Sequence, residues 1–163
     1  MLPLRILSAG LALLSLLLLL VALGSDHWLV ARSHPGSLHA GLWKSCLIPV
    51  CVEIAPVSVP LTVTRAFMIL AAIAGFFSSV ALLALFLRTH LGSVSLTVSS
   101  CLGSFSAGLC ALIAMALYTG EHAEMVNATQ GHSIFGWSFG LAWAAFPLFL
   151  ITGVVTLATL RAA

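Results

Sequence analysis

Ten charged side chains, spread unevenly over 163 residues, divide this chain more sharply than any motif in it. They are Arg5, Asp26, Arg32, Lys44, Glu53, Arg65, Arg88, Glu121, Glu124 and Arg161, and between them lie four long uncharged runs, 6 to 25, 66 to 87, 89 to 120 and 125 to 160. A helix crosses the hydrocarbon core of a bilayer with about 20 mostly apolar residues, so each run supplies one crossing. Composition agrees, with 61% hydrophobic residues, 6% charged and a mean hydropathy of +1.20. Soluble domains carry about 25% charged residues, so an ordinary water-soluble domain is excluded. The length allows one membrane domain, residues 1–163, without a separate soluble module. The runs are continuously apolar instead of alternating, which favours helices over barrel strands, and helices satisfy their own backbone groups in lipid.

The last two runs exceed a crossing, so His90 to Ser93 and Met125 to Ile134 read as connection. The expected spans are then about 6–25, 66–87, 94–118 and 135–160, with loops at 26–64 and 119–134 on one side of the membrane. Lys and Arg divide three to a side, but the side with the short segments holds no acid while the other carries every Asp and Glu. That density places both termini in the cytoplasm of a multi-pass plasma-membrane protein. Cys46, Cys51 and the sequon Asn127-Ala128-Thr129 then fall together outside. The competing reading of the first segment is a cleaved signal peptide, with Arg5 as its basic region and Ala22-Leu23-Gly24 at the cleavage point. Its apolar stretch, Ile6 to Leu23, is longer than the usual h-region of about 7 to 15 residues, which favours a retained span.

The first loop holds the informative chemistry: Asp26-His27-Trp28, then Gly41-Leu42-Trp43-Lys44-Ser45-Cys46, then Cys51. Pro35, Pro49, Pro56 and Pro60 argue against helix there and for short extended pieces joined by turns. The segment Leu47-Ile48-Pro49-Val50 suits a strand pair turning at Pro49. Trp28 and Trp43 are expected to anchor the loop at headgroup level, where an indole ring is favoured.

A Trp after the first span, followed by Gly41-Leu42-Trp43 and then Cys46 and Cys51, resembles the signature of the claudin, peripheral myelin protein and epithelial membrane protein superfamily. The likeness continues through Thr64-Arg65-Ala66-Phe67-Met68-Ile69-Leu70, Ala116-Leu117-Tyr118-Thr119-Gly120 and Trp137-Ser138-Phe139. The resemblance implies an all-α membrane fold, a left-handed four-helix transmembrane bundle capped by a small extracellular β-sheet drawn mainly from the first loop. It also implies a disulfide between Cys46 and Cys51 and a role for Arg65 in folding the cap. Two departures stand out. The first loop and cysteine spacing are shorter than is usual for claudins, and the tail Leu160-Arg161-Ala162-Ala163 lacks their hydrophobic C-terminal motif, which points away from pore-lining junction strands.

Other features admit a bland and a sharp reading. His34, His39, Cys46 and Cys51 formally provide four zinc ligands, but in no recognised order, so no metal or cofactor is expected. His27, His34, His39, His122 and His132 read as solvated loop side chains, with a pH response as the sharper alternative. Arg65 either pairs with Asp26 or Glu53 or snorkels to the interface. Asn127 is either a glycosylation acceptor or too near the membrane to serve. Gly103, Ala107 and Ala111 on span three, and Gly136, Gly140 and Ala144 on span four, allow close helix approach within the monomer or in a homo-oligomer. Pro147 is expected to bend span four, and Cys101 and Cys110, on different turns of one helix, read as buried thiols.

An enzyme or transporter needs ionisable groups within the membrane, and the span cores contain none. The expectation is a non-enzymatic tetraspan protein organising cell junctions or adhesion through its outer loops, or an accessory subunit of another membrane protein. Its partners would be the lipid bilayer and membrane proteins in cis or on the facing cell, a second copy included, and not nucleic acid.

Overall fold

The computed structural model describes residues 2–32, 37–47, 50–53, 59–85, 90–91, 94–128 and 133–162. Four helices dominate: α1 (Leu2–Gly24), α2 (Val59–Ala84), α3 (Leu96–Ala128) and α4 (Trp137–Ala162). Each contains a stretch long and apolar enough to cross a membrane, Pro3–Gly24, Val59–Ala84, Leu96–Ala123 and Trp137–Thr159. The chain is thus a multi-pass membrane protein. The helices pack in a ring in which α1 touches α2 and α4, and α3 touches the same two. At one end Arg5 reaches across to the Leu85 carbonyl just past α2, one of the acceptors a helix C-terminus leaves unpaired.

Two boundaries differ from the sequence reading. Helix α2 starts at Val59, inside the expected loop 26–64, because Pro60 sits in its first turn, where a missing N–H costs no hydrogen bond. Helix α3 continues through Ala128, so most of the expected loop 119–134 is helical. Glu121 and Glu124 end the apolar span there without ending the helix. Helix α4 runs through Pro147 as one element.

Between α1 and α2 lie strands β1 (Leu29–Arg32), β2 (Ser37–Ala40), β3 (Lys44–Leu47) and β4 (Val50–Glu53). A two-residue pair, β5 (His90–Leu91) and β6 (Val94–Ser95), joins α2 to α3, and β7 (Ser133–Phe135) leads into α4. Strands β4-β3-β2-β1-β7 form one antiparallel sheet, so the cap draws four strands from the first loop and a fifth from the second. Register aligns Phe135, Leu29, Ala40, Ser45 and Val52 in one cross-strand row. Leu29 follows α1 closely and Phe135 precedes α4 by one residue, so this row is the bundle end of the sheet. Residues 48 and 49, including the expected turn at Pro49, lie outside the described residues.

The main core lies beneath the cap and joins sheet to helices: Trp28, Leu29 and Leu42 pack with Met68, Met115, Tyr118 and Phe149. A smaller cluster of Ala9, Ala12, Ala81, Leu82, Leu85 and Leu96 closes the far end. Small residues of α3 lie close against α2. Ala107 and Ala111 are fully buried, and a Cβ on Gly103 would lie 3.1 Å from Ser78 of α2. The Ser78 hydroxyl bonds across to Ser104 at 2.6 Å and lies 2.9 Å from the Ser100 carbonyl. The stripe on α4 behaves differently. Gly140 has nothing near its Cβ position and Ala144 is exposed, so neither packs a helix within the monomer, whereas Ala142, Ala145 and Phe149 turn inward.

Candidate functional site: the cap and its anchorage

The last carbonyls of a helix have no partner within it, and α1 ends where the cap begins. Two of its last carbonyls accept from tryptophans. Trp28 Nε1–H donates to the Ala22 carbonyl at 2.6 Å, and Trp43 Nε1–H to the Leu23 carbonyl at 3.0 Å. The two indoles differ in surroundings. Trp43 stays 40% exposed, while Trp28 is fully buried, edge-on to Tyr118 at 4.8 Å and to Phe139 at 6.4 Å. The expectation of a headgroup-level anchor therefore fails for Trp28, which plugs the top of the bundle. Its backbone is tied on both sides, N–H to Ala40 at 2.9 Å and carbonyl from the Gly136 N–H at 2.9 Å.

Arg65, in the second turn of α2, does not pair with Asp26. Its Nε–H donates to the Leu42 carbonyl at 2.7 Å, and its guanidinium lies 4.8 Å from the centre of the Trp43 ring, within cation–π range. Asp26 faces Lys44 instead, at 3.5 Å. The Glu53 side chain lies outside the described residues. One residue of α2 thus holds the Gly41-Leu42-Trp43 turn by its middle carbonyl and its aromatic ring, and Trp43 hands the same turn to α1.

Two glycines permit close approach. A Cβ on Gly41 would collide with the Ser25 carbonyl, and one on Gly136 with the His27 carbonyl. Gly136 therefore does not belong to a helix-packing stripe; it lies between β7 and α4 and lets that junction press against the segment leaving α1. Beside it the hydroxyls of Ser25 and Ser138 bond to each other. Phe135 and Phe139 stack at 4.0 Å and continue the aromatic layer around Trp28.

Farther out, Cys46 and Cys51 stand directly opposite each other in β3 and β4 and form a disulfide. That bond commits both sulfurs, so the two cysteines of the zinc alternative are not free to ligate; His34 lies outside the described residues. Asp26, His39 and Cys46 do bring donor atoms within 4.8 Å of one another. With the sulfur bonded, that cluster keeps one imidazole and one carboxylate, fewer donors than a zinc site takes from protein.

His27 and His39 stack on each other, and His122, on the extended end of α3, stacks on Tyr118 at 4.2 Å, so these three are not free loop side chains. His132 lies outside the described residues, as does Thr129 of the sequon, whose Asn127 falls in the last turn of α3. Sequence reasoning missed the acceptors of Trp28, Trp43 and Arg65, since all three are backbone carbonyls, which no residue pattern marks.

A ring of four membrane-crossing helices, bearing a disulfide-closed sheet built from both loops on one side, defines a tetraspan membrane protein. Residues 3–156 match the PMP-22/EMP/MP20/Claudin family, and the chain belongs to it. Mouse protein NKG7 is 34% identical over 85% of this chain and 80% of its own length. Human lens fiber membrane intrinsic protein is 30% identical over 89% and 84%, and mouse claudin domain-containing protein 2 is 32% identical over 86% and 77%.

Proposed function

We propose that the cap is the working part of a non-catalytic plasma-membrane protein, presented outside the cell with both termini in the cytoplasm, and that it organises contacts with membrane proteins on the same or the facing cell. The observation that carries this reading is the fastening of the cap. Trp28, Trp43 and Arg65 each spend their polar group on a backbone carbonyl at the junction of sheet and helices, and Cys46–Cys51 closes the outer hairpin. A sheet held so firmly, with Val50 and Val52 of its edge strand more than half exposed, is built as a platform for contact. The disulfide supports the outward orientation, because such bonds persist in oxidising compartments. Mobility after glycosidase treatment gives a further reading of side: a shift carried by Asn127 places the end of α3 outside.

The test is aggregation of non-adherent cells expressing the full chain, with surface amounts matched by labelling. Wild type is expected to draw cells together, and Cys46→Ser with Cys51→Ser to weaken that effect. Cells that stay single with wild type on their surface would overturn the adhesion reading. The second reading, an accessory subunit beside another membrane protein, is favoured by Gly140 and Ala144, which leave part of α4 open to close approach by a foreign helix. It predicts that Gly140→Leu abolishes co-purification of a membrane partner while leaving cell aggregation unchanged.

A further inference from the structure

Three rings that are scattered in sequence stack where the sheet meets α4. His39 of β2 lies nearly parallel to His27, with centroids 4.3 Å apart and planes at 9°. His27 lies in turn against Trp137, the first residue of α4, at 5.4 Å and 24°. The stack therefore bridges the sheet, the segment leaving α1 and the start of α4. Its middle member is also fixed through its backbone, since the His27 carbonyl accepts the Ser138 N–H at 3.2 Å. His39 Nδ1 lies 3.2 Å from the Asp26 carbonyl oxygen, an acceptor only, which makes Nδ1 the donor.

Among the described residues, the charges around the pair are few. Asp26 adjoins His27, and its carboxylate reaches within 4.8 Å of a His39 nitrogen. Lys44 on β3 faces that carboxylate at 3.5 Å and offsets it, and Glu53 on β4 stands opposite Lys44 in register. Arg32 stands two residues along β1 from Val30, the register partner of His39, and its side chain lies outside the described residues. Cys46, across from His39 on β3, is held in the disulfide and carries no proton. Ile134 of β7 and Trp137 and Ser138 of α4 bring no charge.

Imidazole is the side chain whose charge ordinarily changes between about pH 5 and 8. One proton suits this stack. A single imidazolium lies over a neutral ring and an indole, a cation–π arrangement, and His39 has the Asp26 carbonyl to receive its Nδ1–H. A second proton does not suit it, because two imidazolium rings would then lie face to face at 4.3 Å with no anion between them. Separation of the rings relieves that repulsion, so acidification favours separation.

We propose that the stack of His39, His27 and Trp137 is a proton-operated latch between cap and bundle, closed while it holds at most one proton and opened by the second. Opening releases β2 and the segment before β1 from the start of α4. The cap is thereby docked at neutral pH and loosened in an acidic compartment. The latch does not rest on the adhesion reading, and its test uses no cell contact.

Hydrogen exchange of the full chain in lipid nanodiscs, at about pH 7.5 and about pH 5 and corrected for the intrinsic rate, reads the latch directly. Peptides covering 37–40 and 133–138 are expected to exchange several-fold faster at the lower pH, with α2 unchanged. His39→Phe keeps a ring in the stack but takes no proton, so its corrected exchange should be the same at both values. His27→Gln removes the middle ring and should leave these peptides fast at both. If protection of α2 and α3 shows that His39→Phe has not folded, His39→Gln makes the same comparison, again with no pH dependence expected. Wild type that exchanges equally at both values, or a His39 variant with the wild-type rise, would overturn the latch.

Discussion

Where α2 meets α3, the contact is made by Ala74, Ser78, Gly103 and Ala107, side chains so small that no single one fills much space. Where the sheet meets the bundle, it is made by Trp28, Trp43 and Arg65, each aimed at one backbone carbonyl. The first contact is redundant and spread along helices already stabilised by their own hydrogen bonds in lipid. The second is sparse, and its strands are too short to stand without the helices beneath them. The bundle should therefore absorb substitutions that the cap cannot.

The largest effect is expected at Trp28. Trp28→Ala removes a fully buried indole and leaves the Ala22 carbonyl without its Nε1–H donor, a loss of about 3–5 kcal/mol. Unfolding followed in detergent should show the cap lost well before the helices. Next comes Arg65→Gln, which deletes a charge-assisted bond and the contact with Trp43, at about 1.5–3 kcal/mol. Thermal denaturation should register it, with helical circular dichroism unchanged below the transition. Reducing the cysteine pair, or replacing both residues by Ser, should cost about 2 kcal/mol, because the closed loop is short. Gly136→Ala and Gly140→Ala set one methyl against the His27 carbonyl and the other in open space. The first should cost about 1–3 kcal/mol and the second close to nothing, and equal effects in melting would break the comparison between junction and helix face. Ser78→Ala should cost less than Gly136→Ala, since it loses an interhelical hydroxyl bond worth about 0.6 kcal/mol in a membrane bundle. A loss there as large as that at Arg65 would show the bundle to be less redundant than its packing implies.

The bundle was legible because membrane solvation is unforgiving: ten charges had to fall outside four runs, and their positions give the helix count directly. Helix ends were less legible, since a charge marks where lipid stops and not where a helix stops. Glu121 and Glu124 show this on α3, and Pro60 on α2, where grouping it with the loop prolines hides a first-turn position. In the cap, the residues Trp28, Gly41, Leu42, Trp43 and Arg65 stood out through resemblance, yet what each one touches did not. Arg65 invited a search for an acid, and the sequence did not mark the Leu42 carbonyl it holds. The stripe Gly136, Gly140 and Ala144 shows a third limit, because small-residue spacing reports a helix face without saying what it faces.

The central claim is that the cap is fastened to an independently stable bundle by a few residues, Trp28, Trp43 and Arg65. Hydrogen exchange of Trp28→Ala against wild type, in nanodiscs at neutral pH, tests it most directly. The account predicts that peptides within 29–53 and 133–135 lose protection while the membrane-crossing parts of all four helices keep theirs. Loss of protection in cap and helices together, or in neither, would contradict it.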